Sequence, residues 1–204
     1  MRIFRKTLVV SISAVAFIFV LPFQFMQTVA KRLVGKARIN SGFISEVYAE
    51  VFATVDESLK VLLPDAKDIK EEVKVLTAEQ KKIVAEKAKI EWDTENDKDF
   101  HFYVSSSGIA VLNTVKGKWG PIKFMMAFDD QNKIKDIIVL ELTERRGRPV
   151  KDRRFLDQYM GKSAADPIKL NKDIKGIAGA TISSRQMSDG VRKVVNIYEL
   201  FYKK

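Results

Sequence analysis

Ala178-Gly179-Ala180-Thr181-Ile182-Ser183-Ser184-Arg185-Gln186-Met187 is the stretch around which this chain is organised. Three small residues lead into a hydroxyl, and two more hydroxyls stand where the pattern turns helical. Ser183-x-x-Gln186 has capping-box spacing, so a helix is expected to open here and run to the C-terminus. Met187, Val191, Val194, Val195, Tyr198 and Phe201 recur at helical spacing and give it one apolar face. The first turn of such a helix carries N–H groups without intrahelical partners, and the aligned peptide dipoles place partial positive charge around them. A phosphate is suited to that position. Gly179 and Ala180 lack bulk, which lets a ligand approach the main chain, and Thr181 presents a hydroxyl beside it. Taken alone, the stretch fits equally well a small-residue turn followed by a capped helix packed on a sheet.

Upstream, Phe100 to Val104, Ile109 to Lys116, Ile122 to Phe128 and Ile134 to Leu142 read as strands. They are divided by Ser-Ser-Gly, Gly-Lys-Trp-Gly-Pro and Asp-Asp-Gln-Asn. Short connections imply antiparallel neighbours. The fold class is therefore α+β, a meander sheet packed with helices and covered on one face by the C-terminal helix. Earlier still, Phe43, Val47, Val51, Val55, Leu59 and Leu62 keep one stripe and predict a helix ending at Pro64. Thr77 with Gln80 predicts the cap of a second, charged helix reaching about Lys89. Trp92 to Lys98 reads as a loop. The expected division is 1–38 as an anchor with basic flanks, 39–98 as a helical segment and linker, and 99–204 as the ligand-binding domain.

The net charge of +10 would suggest a nucleic-acid partner until it is located along the chain. Residues 1–38 hold seven bases and no acid, leaving 29 bases against 26 acids for the rest. The basicity flanks the uncharged run Leu8 to Ala30, so no nucleic-acid partner is expected. At about 1.5 Å per residue, that run is long enough to cross a hydrocarbon core of about 30 Å. A single-pass membrane anchor is the expectation. A signal peptide, with Leu8 to Leu21 as its apolar core and Thr28-x-Ala30 as its cleavage site, is the alternative. Positive charge stands on both sides of the run, so the charge count leaves orientation open. The absence of cysteine excludes a lipobox, a c-type haem attachment, a thiolate cluster and any disulfide. With His101 the only histidine, and placed in an alternating strand, both histidine-rich metal ligation and a Ser-His-Asp triad are poorly supported.

Gly179-Ala180-Thr181 resembles a motif of the FMN-binding domain family found in flavin-carrying subunits of the Rnf and sodium-translocating NADH:quinone reductase complexes. Three further segments carry the resemblance in the same order: Gly117-Lys118-Trp119-Gly120-Pro121-Ile122, Leu142-Thr143-Glu144-Arg145-Arg146-Gly147, and Phe155 to Lys162. The family pattern is Asp-x-x-Ser/Thr-Gly-Ala-Thr-x-Ser/Thr. Here Lys175 stands at the acidic position and Ala178 at the hydroxyl position, and the nearest acid is Asp173.

The resemblance implies FMN as cofactor, with Thr181 as the residue esterified to its phosphate by a separate flavin transferase. It implies Gly179 and Ala180 as the close wall, Ile182 beside them, and Ser183 and Ser184 as hydroxyl and N–H donors to phosphate oxygens. Thr143, Glu144, Trp119 and Gly120 complete the implied site. Trp119 has two readings, as a flavin neighbour or as a core plug, and the plug is favoured. Arg145, Arg146, Arg148, Arg153 and Arg154 supply a cationic loop suited to phosphate or to a reduced flavin, or equally an exposed basic loop that contacts a partner or lipid headgroups. The implied protein carries electrons between redox partner proteins rather than acting as a stand-alone enzyme. Its N-terminus would be cytoplasmic and its domain extracytoplasmic, at the cell membrane.

Overall fold

The computed structural model describes residues 49–144 and 146–203. The expected anchor at Leu8 to Ala30 lies outside the described residues. Among those described, no helix is long and apolar enough to cross a membrane. The elements in order are β1 (Glu50–Val51), α1 (Val55–Leu62), β2 (Lys70–Lys74), α2 (Ala78–Ala88), β3 (Phe100–Ser105), β4 (Gly108–Lys116), β5 (Pro121–Phe128) and β6 (Ile134–Leu142). A 3₁₀ turn (Arg148–Lys151), the single turn α3 (Arg153–Leu156), a second 3₁₀ turn (Asp157–Tyr159) and α4 (Thr181–Tyr202) follow.

One antiparallel sheet runs in the order β1-β6-β5-β4-β3-β2. The four central strands match the expected meander to within a residue. The outer two were not expected, and both come from the segment assigned to precede the domain. The described residues thus form one compact unit, without a break at residue 98. The helix expected from Phe43 begins only at Val55. Its Thr54 hydroxyl accepts the Glu57 N–H at 3.2 Å while the Glu57 carboxylate accepts the Thr54 N–H at 2.8 Å, a capping box that fixes the start. Val51, on the stripe that predicted a helix, pairs with Glu141 instead. Residues 43–48 of that expectation lie outside the described ones. The second capping box, Thr77 with Gln80, forms as read and opens α2.

Among the described residues, β2, Lys-Glu-Glu-Val-Lys, is an edge strand paired only with β3. Its charges suit an edge, since they discourage pairing with another chain.

The alternation of β3 to β6 sends apolar side chains to both faces. On one, Phe102, Val111, Phe124, Met126 and Ile137 meet Met187, Val191, Val194 and Val195 of α4. These α4 residues are at most 1% exposed, so the apolar face expected of the last helix is the one buried. On the other face, Leu59, Leu62 and Leu63 of the α1 region cover Tyr103, Ala110, Met125 and Leu140.

Three charged or polar contacts fix α4 further. Arg192 donates to the carbonyls of Ala88 and Ile168 and to Asp189, and so closes the C-terminal end of α2. Lys193 pairs with Asp97, both enclosed, and anchors the Trp92 to Lys98 loop. Tyr159 and Ser188 share a buried hydroxyl contact of 2.8 Å.

Gly190 is where helix and sheet come closest. A Cβ built there collides with Val115 Cγ1 and lies 3.3 Å from Phe124 Cε1. Gly190→Val should therefore lower the urea midpoint, with a destabilisation of about 1–3 kcal/mol from overpacking. An unchanged midpoint would show that α4 can shift off β4 at no cost.

Candidate functional site

The start of α4 differs from the expected capping box. The helix begins at Thr181 with Ala180 as N-cap and no side-chain cap, two residues before Ser183. The two serines are committed elsewhere. Ser183, 2% exposed, donates its hydroxyl to Glu144 Oε2 at 2.9 Å. Ser184, fully enclosed, donates to the Ala180 carbonyl at 2.9 Å and accepts the Ile177 N–H at 3.2 Å. Their hydroxyls hold the turn together, which corrects the reading of those hydroxyls as donors to a phosphate. The first-turn N–H groups keep that capacity, because no side chain caps them. Thr181 is exposed at the mouth, and no described residue shares a side-chain hydrogen bond with its hydroxyl.

Glu144 joins three segments. Besides Ser183 it accepts the Trp119 N–H at 3.1 Å, and it is 7% exposed. Two glycines make room for it: a Cβ at Gly117 collides with Glu144 Oε1, and one at Gly147 stands 2.8 Å from Glu144 Oε2 and collides with Ser183 Oγ. A carboxylate at this end of a helix also meets the positive end of the dipole. Glu144 is thus a positioning residue that binds the Gly117–Gly120 turn, the loop after β6 and the helix start into one body.

These segments line a cleft of about 230 Å³, bordered by Lys118, Trp119, Arg146, Gly179, Thr181 and Ile182, with Glu144 and Ser183 in its wall. Trp119 is 46% exposed, which corrects the favoured expectation of a core plug, and Ile182 is equally exposed. Together they give the cleft an apolar rim. Gly179, at φ +76°, adopts a conformation that side chains disfavour, with open space where a Cβ would stand. Gly120 and Thr143 stand outside the lining and form its support, since a Cβ at Gly120 would lie 2.6 Å from Thr143 Cβ. The Thr143 Oγ1 atom is buried and unpartnered among the described residues.

The expected arginine cluster is divided by ion pairing. Arg146 borders the cleft. Arg148 instead pairs with Glu50 at 2.6 Å, and Arg153 with Asp136 at 2.7 Å and Asp157 at 2.6 Å. Arg145 lies outside the described residues. Lys118, not singled out from the sequence, takes a place beside Arg146; its position inside the Gly-Lys-Trp-Gly turn was the available signal.

The segment Phe155 to Lys162 holds the end of α3 and the second 3₁₀ turn, which ends at Tyr159 ahead of Gly161, φ +72°. Gln158 from it holds the approach to the cleft, accepting the Lys175 N–H at 2.7 Å and donating to the Lys175 carbonyl at 3.2 Å. Asp173 is an internal fastener. It accepts the Lys169 and Ile168 N–H groups at 2.8 and 3.0 Å and pairs with Lys162 at 3.0 Å. Burial alone would raise its pKa, but these N–H groups and the Lys162 ammonium more than offset it and hold the carboxyl below its ordinary value.

A sheet-packed helix with an uncapped first turn, an exposed hydroxyl beside it, cations at the rim and an apolar border defines a domain suited to a phosphate-bearing, partly apolar cofactor. Residues 117–196 match the FMN-binding domain family, and this region is an FMN-binding domain with FMN as its cofactor. No curated protein matches the chain.

Glu144→Ala leaves the Ser183 hydroxyl and the Trp119 N–H without their acceptor, and a loss of about 1–3 kcal/mol in urea unfolding is expected. The depressed Asp173 carboxyl contributes stability that is complete above its unfolded value and lost as pH falls through its folded one. Urea midpoints taken from about pH 5 downward should accordingly fall less steeply in Asp173→Asn than in the parent.

Proposed function

We propose that this protein is a membrane-anchored, extracytoplasmic flavoprotein that carries electrons through FMN linked by a phosphoester to Thr181 Oγ. The observation that carries the reading is the division of labour among the hydroxyls at the helix mouth. Ser183 and Ser184 are bound into the fold, while Thr181 is exposed on the cleft. A separate flavin transferase can reach it there. The phosphate would lie against the first-turn N–H groups, with Lys118 and Arg146 offsetting its charge. The bare wall at Gly179 permits close approach, and the Trp119 and Ile182 rim offers apolar surface to a ring. When bound, FMN supplies one- and two-electron transfer. The chain's part is to hold it, keep it from diffusing away and leave an edge open to redox partners. Nothing in the cleft has to act as acid or base toward a substrate, which fits a carrier.

The apolar run Leu8 to Ala30 supports the anchor, and the family resemblance supports an extracytoplasmic domain. A second reading is favoured by Lys175 and Ala178, which stand where the family pattern has an acid and a hydroxyl. Both are exposed, on the surface a transferase would read. In that reading FMN is held without an ester, in a module for sensing or assembly.

Coexpression with a flavin transferase separates the two. Under the first reading, fluorescence follows the polypeptide through SDS gels, the intact mass rises by one flavin mononucleotidyl group, and Thr181→Ala abolishes both. Colour that is lost on denaturation overturns the ester and supports the noncovalent module. A chain that stays colourless with excess FMN overturns both.

A further inference from the structure

Away from the FMN cleft, the C-terminal end of α2, the 164–172 loop and the middle of α4 enclose a second cavity of about 320 Å³. Lys87 and Lys89 stand on one wall, Lys169 and Lys172 on another, and Arg192 forms part of the floor. It shares no lining residue with the cleft at Thr181. From Thr181 to Arg192 the distance along α4 is about 16 Å at a rise of about 1.5 Å per residue.

None of the four lysines forms a salt bridge with a described residue. The one acid in the lining, Asp166, is engaged locally and accepts the Ser163 N–H at 2.9 Å and the Ser163 hydroxyl at 3.2 Å. Arg192 is spent on the carbonyls of Ala88 and Ile168 and on Asp189, so the floor is rigid and the lysines supply the uncompensated charge. The α2 dipole accounts for a cation at Lys87, in the last turn of that helix. It does not account for Lys169 and Lys172.

Costly backbone conformations stand in the lining at Lys89 and next to it at Ile168 and Asn171. Lys89, Ile168 and Asn171 have φ of +51°, +43° and +61°. For a β-branched residue such as Ile168 that region is a marked outlier. It is held from both sides: its N–H is accepted by Asp173 at 3.0 Å, and its carbonyl accepts Arg192 at 2.7 Å. The fold thus maintains a strained loop that places two lysines in the lining of the same concavity as Lys87 and Lys89.

We propose that this cavity binds a phosphate-bearing anion, as a site separate from FMN. Such a group can come from a soluble phosphate compound or from the headgroup of an anionic lipid, and the chemistry of recognition is the same. The lysines act as point charges on a multiply charged oxyanion, with affinity that falls as salt rises.

The test uses the full chain in neutral-detergent micelles at low ionic strength, titrated calorimetrically with pyrophosphate and, separately, with phosphatidylglycerol, with phosphatidylcholine as the uncharged control. Saturable binding of one equivalent is expected for at least one phosphate-bearing probe. It should weaken about tenfold in Lys169→Gln/Lys172→Gln but not in Lys123→Gln/Lys135→Gln, which removes the same charge outside the cavity. Binding of pyrophosphate supports a soluble ligand; binding of phosphatidylglycerol alone, with phosphatidylcholine silent, supports a lipid headgroup. Saturation by neither probe, or equal weakening in both lysine pairs, overturns the proposal. Thermal melts establish that the double variant is folded, and the single Lys172→Gln serves in its place if it is not. FMN loading should be the same in all these variants, which keeps failure here distinct from failure at Thr181.

Discussion

The cleft depends on one enclosed carboxylate. Glu144 accepts hydrogen bonds from the Ser183 hydroxyl and the Trp119 amide, groups contributed by a helix and by a turn that the chain places far apart. Removing a carboxylate from water is expensive unless it is hydrogen-bonded, and both oxygens here are. Neither Gly117 nor Gly147 tolerates a Cβ, because each would occupy space taken by that side chain. Those two glycines are thereby explained by a neighbour, whereas Gly179 is explained by its left-handed backbone. The same contact commits Ser183 to the fold, while Thr181 stays exposed on the cleft.

The second determinant is how α4 is seated. Its apolar stripe lies on the sheet, and Gly190 lets the backbone approach Val115. Arg192 and Lys193 reach sideways to α2 and to the Asp97 loop. Both cations are largely removed from solvent, and their partners compensate for that removal. One helix therefore carries the cleft at its first turn and the cationic cavity near its middle, at a fixed spacing.

Much of this was legible in the sequence. The four central strands were, because each alternates between two buried faces and is closed by turn residues. β1 and β2 were not: one is two residues long, and Lys-Glu-Glu-Val-Lys has a single apolar residue, as an edge strand with solvent beside it permits. Thr181, Gly179 and Ile182, named from a local pattern, line one cleft with Trp119 and Glu144. The errors share a cause. The capping box at Ser183 failed because a carboxylate 39 positions earlier takes the hydroxyl, and the arginine cluster dissolved because Asp136, Asp157 and Glu50 claim two of its members. Long-range competition for a polar group leaves no trace in local spacing.

The pairing of β1 has a mechanical consequence. Glu50 lies opposite Leu142, next to the loop that carries Thr143 and Glu144, and Arg148 from the far side of that loop clasps the Glu50 carboxylate. Any tug on the chain ahead of residue 49 is therefore delivered to a two-residue strand at the cleft's own margin. A pull from that side would be felt first by the loop that steadies the helix mouth.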